Sequence, residues 1–183
     1  MSNKLLVVAG PTAVGKGTVV DFILKNYSNF HISVSATTRE PRPGEVDGKS
    51  YYFVSHEEFD AQIKTGQMLE YAVVHGDNKY GTPRKPVEDA LARGEHVILE
   101  IDIQGARQVK QAMPEAISIF IAPPSWEVLV ERLQARGTET AIEQQKRLET
   151  AKSELASQGE FDHVVINDEV ARCASEVVEL LKD

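Results

Sequence analysis

The sequence has little of what a cross-linked, membrane-spanning or polyanion-wrapping protein needs. It holds one cysteine, Cys173, so an intramolecular disulfide is excluded. That cysteine falls in a helical pattern and reads as a small buried hydrophobe, and a reducing cytoplasm is the compartment this composition suits. Apolar runs such as Leu5–Ala9 and Ile117–Ala122 fall far short of the roughly 20 residues a spanning helix requires. No signal-peptide hydrophobic region or small-residue cleavage site precedes the strand-like run after Lys4. There are no internal repeats and no low-complexity tracts. Positive charge is in the minority, 20 Lys and Arg against 28 Asp and Glu, for a net charge of −8 at pH 7. That balance argues against nucleic acid as the partner. The basic residues are grouped, Arg39 with Arg42, and Arg132 with Arg136 and Arg147. An acidic body with a few basic loops suits a small anionic ligand.

What is present is an ordinary globular composition: 183 residues, 42% hydrophobic and 26% charged, enough for one domain with room for inserts. Hydrophobic period and punctuation order the elements. Lys4–Ala9 reads as a buried parallel strand, followed by a helix over Gly17–Tyr27 and a strand over Phe30–Ser35. Thr37–Ser50 is polar and rich in Arg, Pro and Gly. Tyr51–Val54 reads as a short strand, and Ser55 with Glu58 as a capping box opening a helix that stops near Gly66. Gln67–Val74 alternates as a strand should. Thr82–Pro83 reads as an N-cap with proline at the first helical position, for a helix ending near Gly94. Strand His96–Ile101, a helix from Gln104, strand Ala116–Ala122, helices from Ser125 and over Thr140–Ala156, strand Val164–Ile166 and helix Glu169–Leu181 complete the chain. Strands alternating with helices predict an α/β fold, a parallel sheet covered on both faces. Residues 36–82 break that rhythm and read as a polar, mostly antiparallel insert.

Between the first strand and the first helix stands Gly10-Pro11-Thr12-Ala13-Val14-Gly15-Lys16, the context and spacing of a phosphate-binding P-loop. Glycines let backbone N–H groups turn inward around phosphate oxygens, the helix N-terminus adds its dipole, and Lys16 adds a point charge. Gly17 stands where Ser or Thr usually holds Mg2+, and Thr18 comes one position late. Phosphates and waters are therefore expected to hold Mg2+ in place of a loop hydroxyl. The loop indicates a nucleoside triphosphate and says nothing about an acceptor.

The acceptor signal lies in Val34-Ser35-Ala36-Thr37-Thr38-Arg39-Glu40-Pro41-Arg42-Pro43-Gly44-Glu45 and Gly48-Lys49-Ser50-Tyr51-Tyr52-Phe53. Two fork-shaped guanidiniums three residues apart, stiffened by prolines, suit a phosphate dianion. With Ile101-Asp102-Ile103-Gln104-Gly105, this pattern closely resembles the guanylate kinase family over nearly the whole chain. The resemblance implies one domain over residues 3–182. Its core would be residues 1–35, 83–124 and 149–183, with a GMP-binding insert over 36–82 and a lid region over 125–148. It implies Arg39, Arg42, Tyr51 and Tyr80 as ligands of the GMP phosphate. Glu70 and Thr82, with Ser35 and Asp102, are implied as readers of guanine. Guanine's N1–H and 2-amino group are adjacent donors that one carboxylate accepts together, and adenine lacks the second. Glu100 and Asp102 fall at a strand's C-terminal end, where open parallel sheets place ligands. One or both orient waters around Mg2+, or one of them caps the helix from Gln104.

Arg136-Gly137-Thr138-Glu139-Thr140 with Arg147 resembles the family's ATP-covering lid, and Thr140 with Glu143 reads as a second capping box. The resemblance adds Arg132, Arg136 and Asn167 to residues 10–18 as ATP ligands. Lys16, Arg39, Arg136 and Arg147 become the cations of catalysis. The implied reaction is ATP + GMP = ADP + GDP, with Mg2+ as cofactor, dGMP as a second acceptor, and no obligate protein partner, nucleic acid or membrane. Two other readings are a guanylate-kinase-like binding module without activity and a related kinase for another acceptor. The intact Gly10–Lys16 loop opposes the first, and Glu70 beside Tyr80-Gly81-Thr82 opposes the second.

Overall fold

A computed structural model describes residues 4–74, 76–135 and 141–181. In chain order the elements are β1 (Leu5–Ala9), α1 (Lys16–Asn26), β2 (Phe30–Ile32), β3 (Ala36–Thr37), β4 (Tyr52–Phe53), α2 (His56–Lys64), β5 (Met68–Val74) and β6 (Asn78–Pro83). Then come α3 (Arg84–Ala92), β7 (His96–Glu100), α4 (Ile103–Ala112), β8 (Ile117–Ala122), α5 (Trp126–Gln134), α6 (Ala141–Ala156), a short 3-10 turn over Gln158–Glu160, β9 (His163–Ile166) and α7 (Val170–Glu179).

Five strands form a parallel sheet in the order β2-β7-β1-β8-β9. Burial on both faces explains the unbroken apolar run of β1. Leu6 and Val8 point to one side, packing with Val19, Val20 and Ile23 of α1 and with Cys173, Ala174 and Val177 of α7. Leu5, Val7 and Ala9 point to the other, against Val87 and Ala90 of α3 and Ile103, Ala106 and Val109 of α4. Burying each of the larger side chains contributes about 1.5–3 kcal/mol. β1 is central, so its C-terminal end delivers the glycine-rich loop to the middle of the sheet's carboxyl edge.

A second sheet, in the order β4-β3-β6-β5, is built from residues 36–83. β3 with β6 and β5 with β6 run antiparallel, and β3 with β4 runs parallel. Ser55 and Glu58 close their capping box at the start of α2.

Two local expectations are corrected and one open alternative is resolved. The strand from Phe30 ends at Ile32 and not at Ser35. Ser33 N–H still donates to the Ile98 carbonyl at 3.0 Å, after which the chain crosses to the second sheet at Ala36. Asn78–Pro83 is a strand, so Thr82 does not cap α3 and Pro83 is not its first helical residue. The Thr82 hydroxyl donates across the sheet to Glu70, and Gln67 O satisfies the first N–H of α3, from Arg84, at 2.8 Å. Asp102, at the N-cap of α4, accepts from Gly105 N–H at 2.7 Å, so of the two carboxylates it is the one that caps.

Cys173 is fully buried in α7, and burial pushes its thiol up to about 11. A thiol that is neither exposed nor ionised at about pH 8 reacts slowly. We expect a chromogenic disulfide reagent to modify native protein at a small fraction of its rate in denaturant. Equal rates would place the thiol at the surface.

Candidate active site

The loop after β1 folds as its glycines require. Gly10 has φ of 147° and Gly15 a φ of 93°, both left-handed, and Ala13 adopts φ of 62°. A Cβ on Gly10 would run into the Ile121 carbonyl of β8, and one on Gly15 would lie 2.7 Å from Asn167 Nδ2. Neither position therefore tolerates a side chain. Lys16 opens α1 and curls its ammonium over the loop, donating to Gly10 O at 2.7 Å and Pro11 O at 3.1 Å. The Thr12 N–H donates to a carboxylate, Glu154 Oε2 of α6, at 3.2 Å. Burial raises the Glu154 carboxyl above the usual range, while the Thr12 N–H and the Lys16 charge pull it back. The loop thus already donates to a carboxyl oxygen. Sequence reasoning missed Glu154 because a glutamate in a charged amphipathic helix carries no signal of its own.

Two residues expected among the ATP ligands hold the loop from behind. Asn167, 3% exposed, donates from Nδ2 to Val14 O at 2.9 Å. Arg132 reaches the same carbonyl from Nη1 at 3.1 Å and Asn167 O from Nη2 at 2.9 Å. Val14 O, the shared acceptor, is fixed from α5 and from the end of β9. The Asn167 Oδ1 is buried without a hydrogen-bond partner, an acceptor remaining at that wall. Thr18 is exposed in the first turn of α1.

Glu100 ends β7 beside Gly17. A Cβ on Gly17 would stand 3.5 Å from Glu100 Oε1, in ordinary contact. The cleft walls desolvate the Glu100 carboxyl and raise it, and Lys16 opposes that shift, although the residue stays open to solvent along the cleft. A carboxylate oxygen therefore stands beside the position where most P-loops carry a hydroxyl.

From Glu100 the cleft continues into a cavity of about 180 Å3 lined by Ser35, Tyr51, Glu70, Tyr80, Glu100 and Asp102, among others. Its polar floor is Glu70, 7% exposed, which accepts from the Thr82 hydroxyl at 2.6 Å. Desolvation raises the Glu70 carboxyl, the hydroxyl of Thr82 opposes, and the nearby Asp102 charge adds to the rise. The register shifts between Met68 and Glu70, so alternation fails and three consecutive side chains of β5 are buried. Such irregularities re-aim side chains near sites. Here Leu69 plugs the core while Glu70 faces the cavity.

At the outer end, Arg39 Nε donates to the Tyr80 hydroxyl at 3.1 Å, and the guanidinium lies 5.4 Å from the Tyr51 ring centroid. Tyr51 and Tyr80 meet edge to face at 5.9 Å. The fork of Arg39 grips Glu45, Nη2 to Oε1 at 2.8 Å and Nη1 to Oε2 at 3.0 Å. That pairing holds the Glu45 carboxyl below its usual value and raises Arg39 above its own. Glu45 also accepts from Arg42 N–H at 2.7 Å, tying both arginines to one carboxylate. The Arg42 side chain is exposed.

Arg136 and the Thr140 cap lie outside the described residues. Arg147 is exposed on α6, two turns, or about 10 Å of helix, before Glu154 and on the same face. Among the described residues no helix is long and apolar enough to cross a membrane, and no group of three or more metal-ligating side chains clusters.

The family model described as guanylate kinase matches residues 2–183. A guanylate kinase of Leifsonia xyli subsp. xyli is 62% identical over 179 residues, spanning 98% of this chain and 70% of that protein. One from Corynebacterium jeikeium is 50% identical over 182 residues, 99% and 97% of the two chains. The crystal structure of guanylate kinase from Anaplasma phagocytophilum superposes with a TM-score of 0.74 at 36% identity, covering 99% of this chain and 85% of that one. A shikimate kinase structure from Bacteroides thetaiotaomicron, at 13% identity and TM-score 0.53 over 98% and 99% of the two chains, shares the fold alone. This chain belongs to the guanylate kinase family.

Proposed function

We propose that the protein transfers the terminal phosphoryl group of ATP to GMP, in the cytoplasm, with the P-loop holding the donor and the Glu70 cavity holding the acceptor base. The observation that carries this is Glu100, which both touches the space beside Gly17 and lines the acceptor cavity. The two half-sites therefore meet at the carboxyl edge of one parallel sheet, where such sheets place ligands.

The acceptor oxygen is already an anion, since a phosphate monoester loses its second proton near about pH 6. No general base is needed. The problem is to bring on the order of six negative charges together in line. Lys16 leaves the Gly10 and Pro11 carbonyls for the phosphate oxygens, and the Thr12 N–H exchanges the Glu154 carboxyl for phosphate. Arg39, Arg42, Tyr51 and Tyr80 hold the acceptor phosphate, with Arg39 shared between phosphate and Glu45. The family resemblance makes Arg136 and Arg147 cations for the donor phosphates, and Arg132 and Asn167 keep the loop in shape. Ser35 and Asp102 complete the acceptor wall.

The residues present fit Mg2+, which binds through one or two carboxylates, waters and substrate phosphates. Glu100, backed by Asp102, would hold its water shell. When bound, the ion neutralises charge across the β- and γ-phosphates.

A coupled assay with ATP, Mg2+ and GMP, dGMP, AMP, UMP or CMP tests the proposal. Turnover is expected with GMP and dGMP, and absence of turnover with GMP would overturn it. Arg42 is tied through its backbone N–H to the same Glu45 that grips Arg39, beside Tyr80 and Tyr51 of the acceptor cavity. Arg42→Ala should raise the KM for GMP about tenfold or more, the cost of a charge-assisted contact, with the KM for ATP unchanged. Equal movement of both constants would remove Arg42 from the acceptor site.

A further inference from the structure

β5 is an outer strand of the second sheet, and the N–H and C=O of Tyr71 face away from β6. An edge of this kind normally pairs with solvent or a neighbouring chain. Here a side chain takes the place of a further strand. Gln108 of α4 accepts from Tyr71 N–H through Oε1 at 3.1 Å and donates from Nε2 to Tyr71 O at 3.0 Å. Both halves of one side-chain amide are thus paired with the N–H and C=O of one residue.

The neighbouring turn of the same helix is shaped for the neighbouring residue of the same strand. Gly105 stands one turn before Gln108, and a Cβ there would come within 2.9 Å of Glu70 Oε2 and 3.2 Å of Asp102 Oδ1. Only a bare backbone leaves Glu70 its depth in the cavity. α4 therefore meets β5 at two adjoining points, an opening at Gly105 for the Glu70 carboxylate and an amide at Gln108 for the Tyr71 backbone. Leu69, buried in the core beside Ile103 and Ala106, anchors the strand on the other side of Glu70.

We propose that Gln108 is a positioning residue for the acceptor base: its amide clamps the Tyr71 backbone and so fixes the depth and direction of Glu70. This rests on Glu70 being the guanine acceptor. Gln108 touches no substrate and acts through β5. A carboxylate that must accept two donors at once tolerates little displacement, because misplacement by about 1 Å can cost as much as a hundredfold. The two bonds between Gln108 and the Tyr71 peptide groups are exposed, so water can satisfy those groups once the amide is gone, and the loss falls on geometry before it falls on stability.

The test compares wild type with Gln108→Leu, which removes both bonds, and Gln108→Glu, which keeps the acceptor for Tyr71 N–H and loses the donor. GMP and IMP serve as acceptors, since IMP lacks the 2-amino group that a well-placed Glu70 would read. Gln108→Leu is expected to raise the KM for GMP about tenfold, to narrow the kcat/KM preference for GMP over IMP, and to leave the KM for ATP and the melting temperature near wild type. Gln108→Glu should fall between the two. Faster hydrogen exchange at the Tyr71 amide reports that the clamp is broken. If exchange quickens while the GMP constant and the GMP-to-IMP ratio stay within twofold, the proposal is overturned, and a parallel rise in the ATP constant overturns it too. Should Gln108→Leu fail to fold, Gln108→Glu decides by the same criteria. Wild-type turnover of GMP alone decides the proposed function, so the two failures are read from different measurements.

Discussion

Replacing Lys16 by Met is expected to lower kcat by at least about a thousandfold, the scale set by removing a fixed charge from a developing phosphoryl transition state. The protein should still fold. Lys16 donates to two loop carbonyls, Gly10 O and Pro11 O, and such bonds contribute about 1 kcal/mol each. In a chain of this length that corresponds to a fall in Tm of a few degrees. The loop has independent supports in Arg132, Asn167 and the steric demands at Gly10 and Gly15. Removing the ammonium also deprives Glu100 and Glu154 of the charge that now offsets their desolvation, so both carboxyls should titrate higher. Steady-state kinetics beside a thermal melt read the result. A folded Lys16→Met protein with turnover within tenfold of wild type would remove Lys16 from catalysis.

Replacing Glu70 by Gln should separate activity from stability. The amide still accepts from the Thr82 hydroxyl but cannot accept two donors from guanine, and a buried unpaired group on the ligand is costly. We expect kcat/KM with GMP to fall about a hundredfold or more and the preference for GMP over AMP to shrink. In the ligand-free protein the sign reverses. The Glu70 carboxyl is raised by desolvation and by Asp102, so the folded state holds its proton more tightly than the unfolded chain. Folding is then favoured below the unfolded pKa and loses that contribution as pH rises through the folded pKa. Above its raised folded pKa the wild type carries a buried charge that the amide variant lacks, so at high pH Glu70→Gln should melt at or above wild type. The gap should close as pH falls toward the usual carboxylate range. A variant less stable than wild type at high pH, with unchanged base preference, would contradict both halves.

Much of the molecule was legible in the chain because the relevant physics is local. The run Leu5–Ala9, the glycines at 10 and 15 and the ammonium at 16 require a buried strand, a left-handed loop and a helix start in that order. The Ser55–Glu58 box caps α2 from residues three apart. The resemblance in Ser35–Phe53 and Asp102–Gly105 named the family before any side chain was placed. Thr82 shows where local reading ends. Thr-Pro before a helical pattern is a cap by every local rule, yet pairing of β6 with β3 and β5 drew it into a strand and turned its hydroxyl to Glu70. Asp102, left open between cap and ligand, caps α4 and lines the cavity at once.

Other features had no sequence signal because their partners are remote. Glu154 meets Thr12 across 142 residues, Asn167 meets Val14 across 153, and Gln108 meets Tyr71 across 37. Taken alone, each is a polar residue in an ordinary context. The P-loop, the parallel core and the family could all be read from the chain, since periodicity, glycine conformation and short motifs act within a few residues. Which polar groups hold the loop and which line the cavity beside Glu70 emerged only with the packed fold. Those assignments depend on hydrogen-bond geometry between segments that lie far apart until the sheet brings them together.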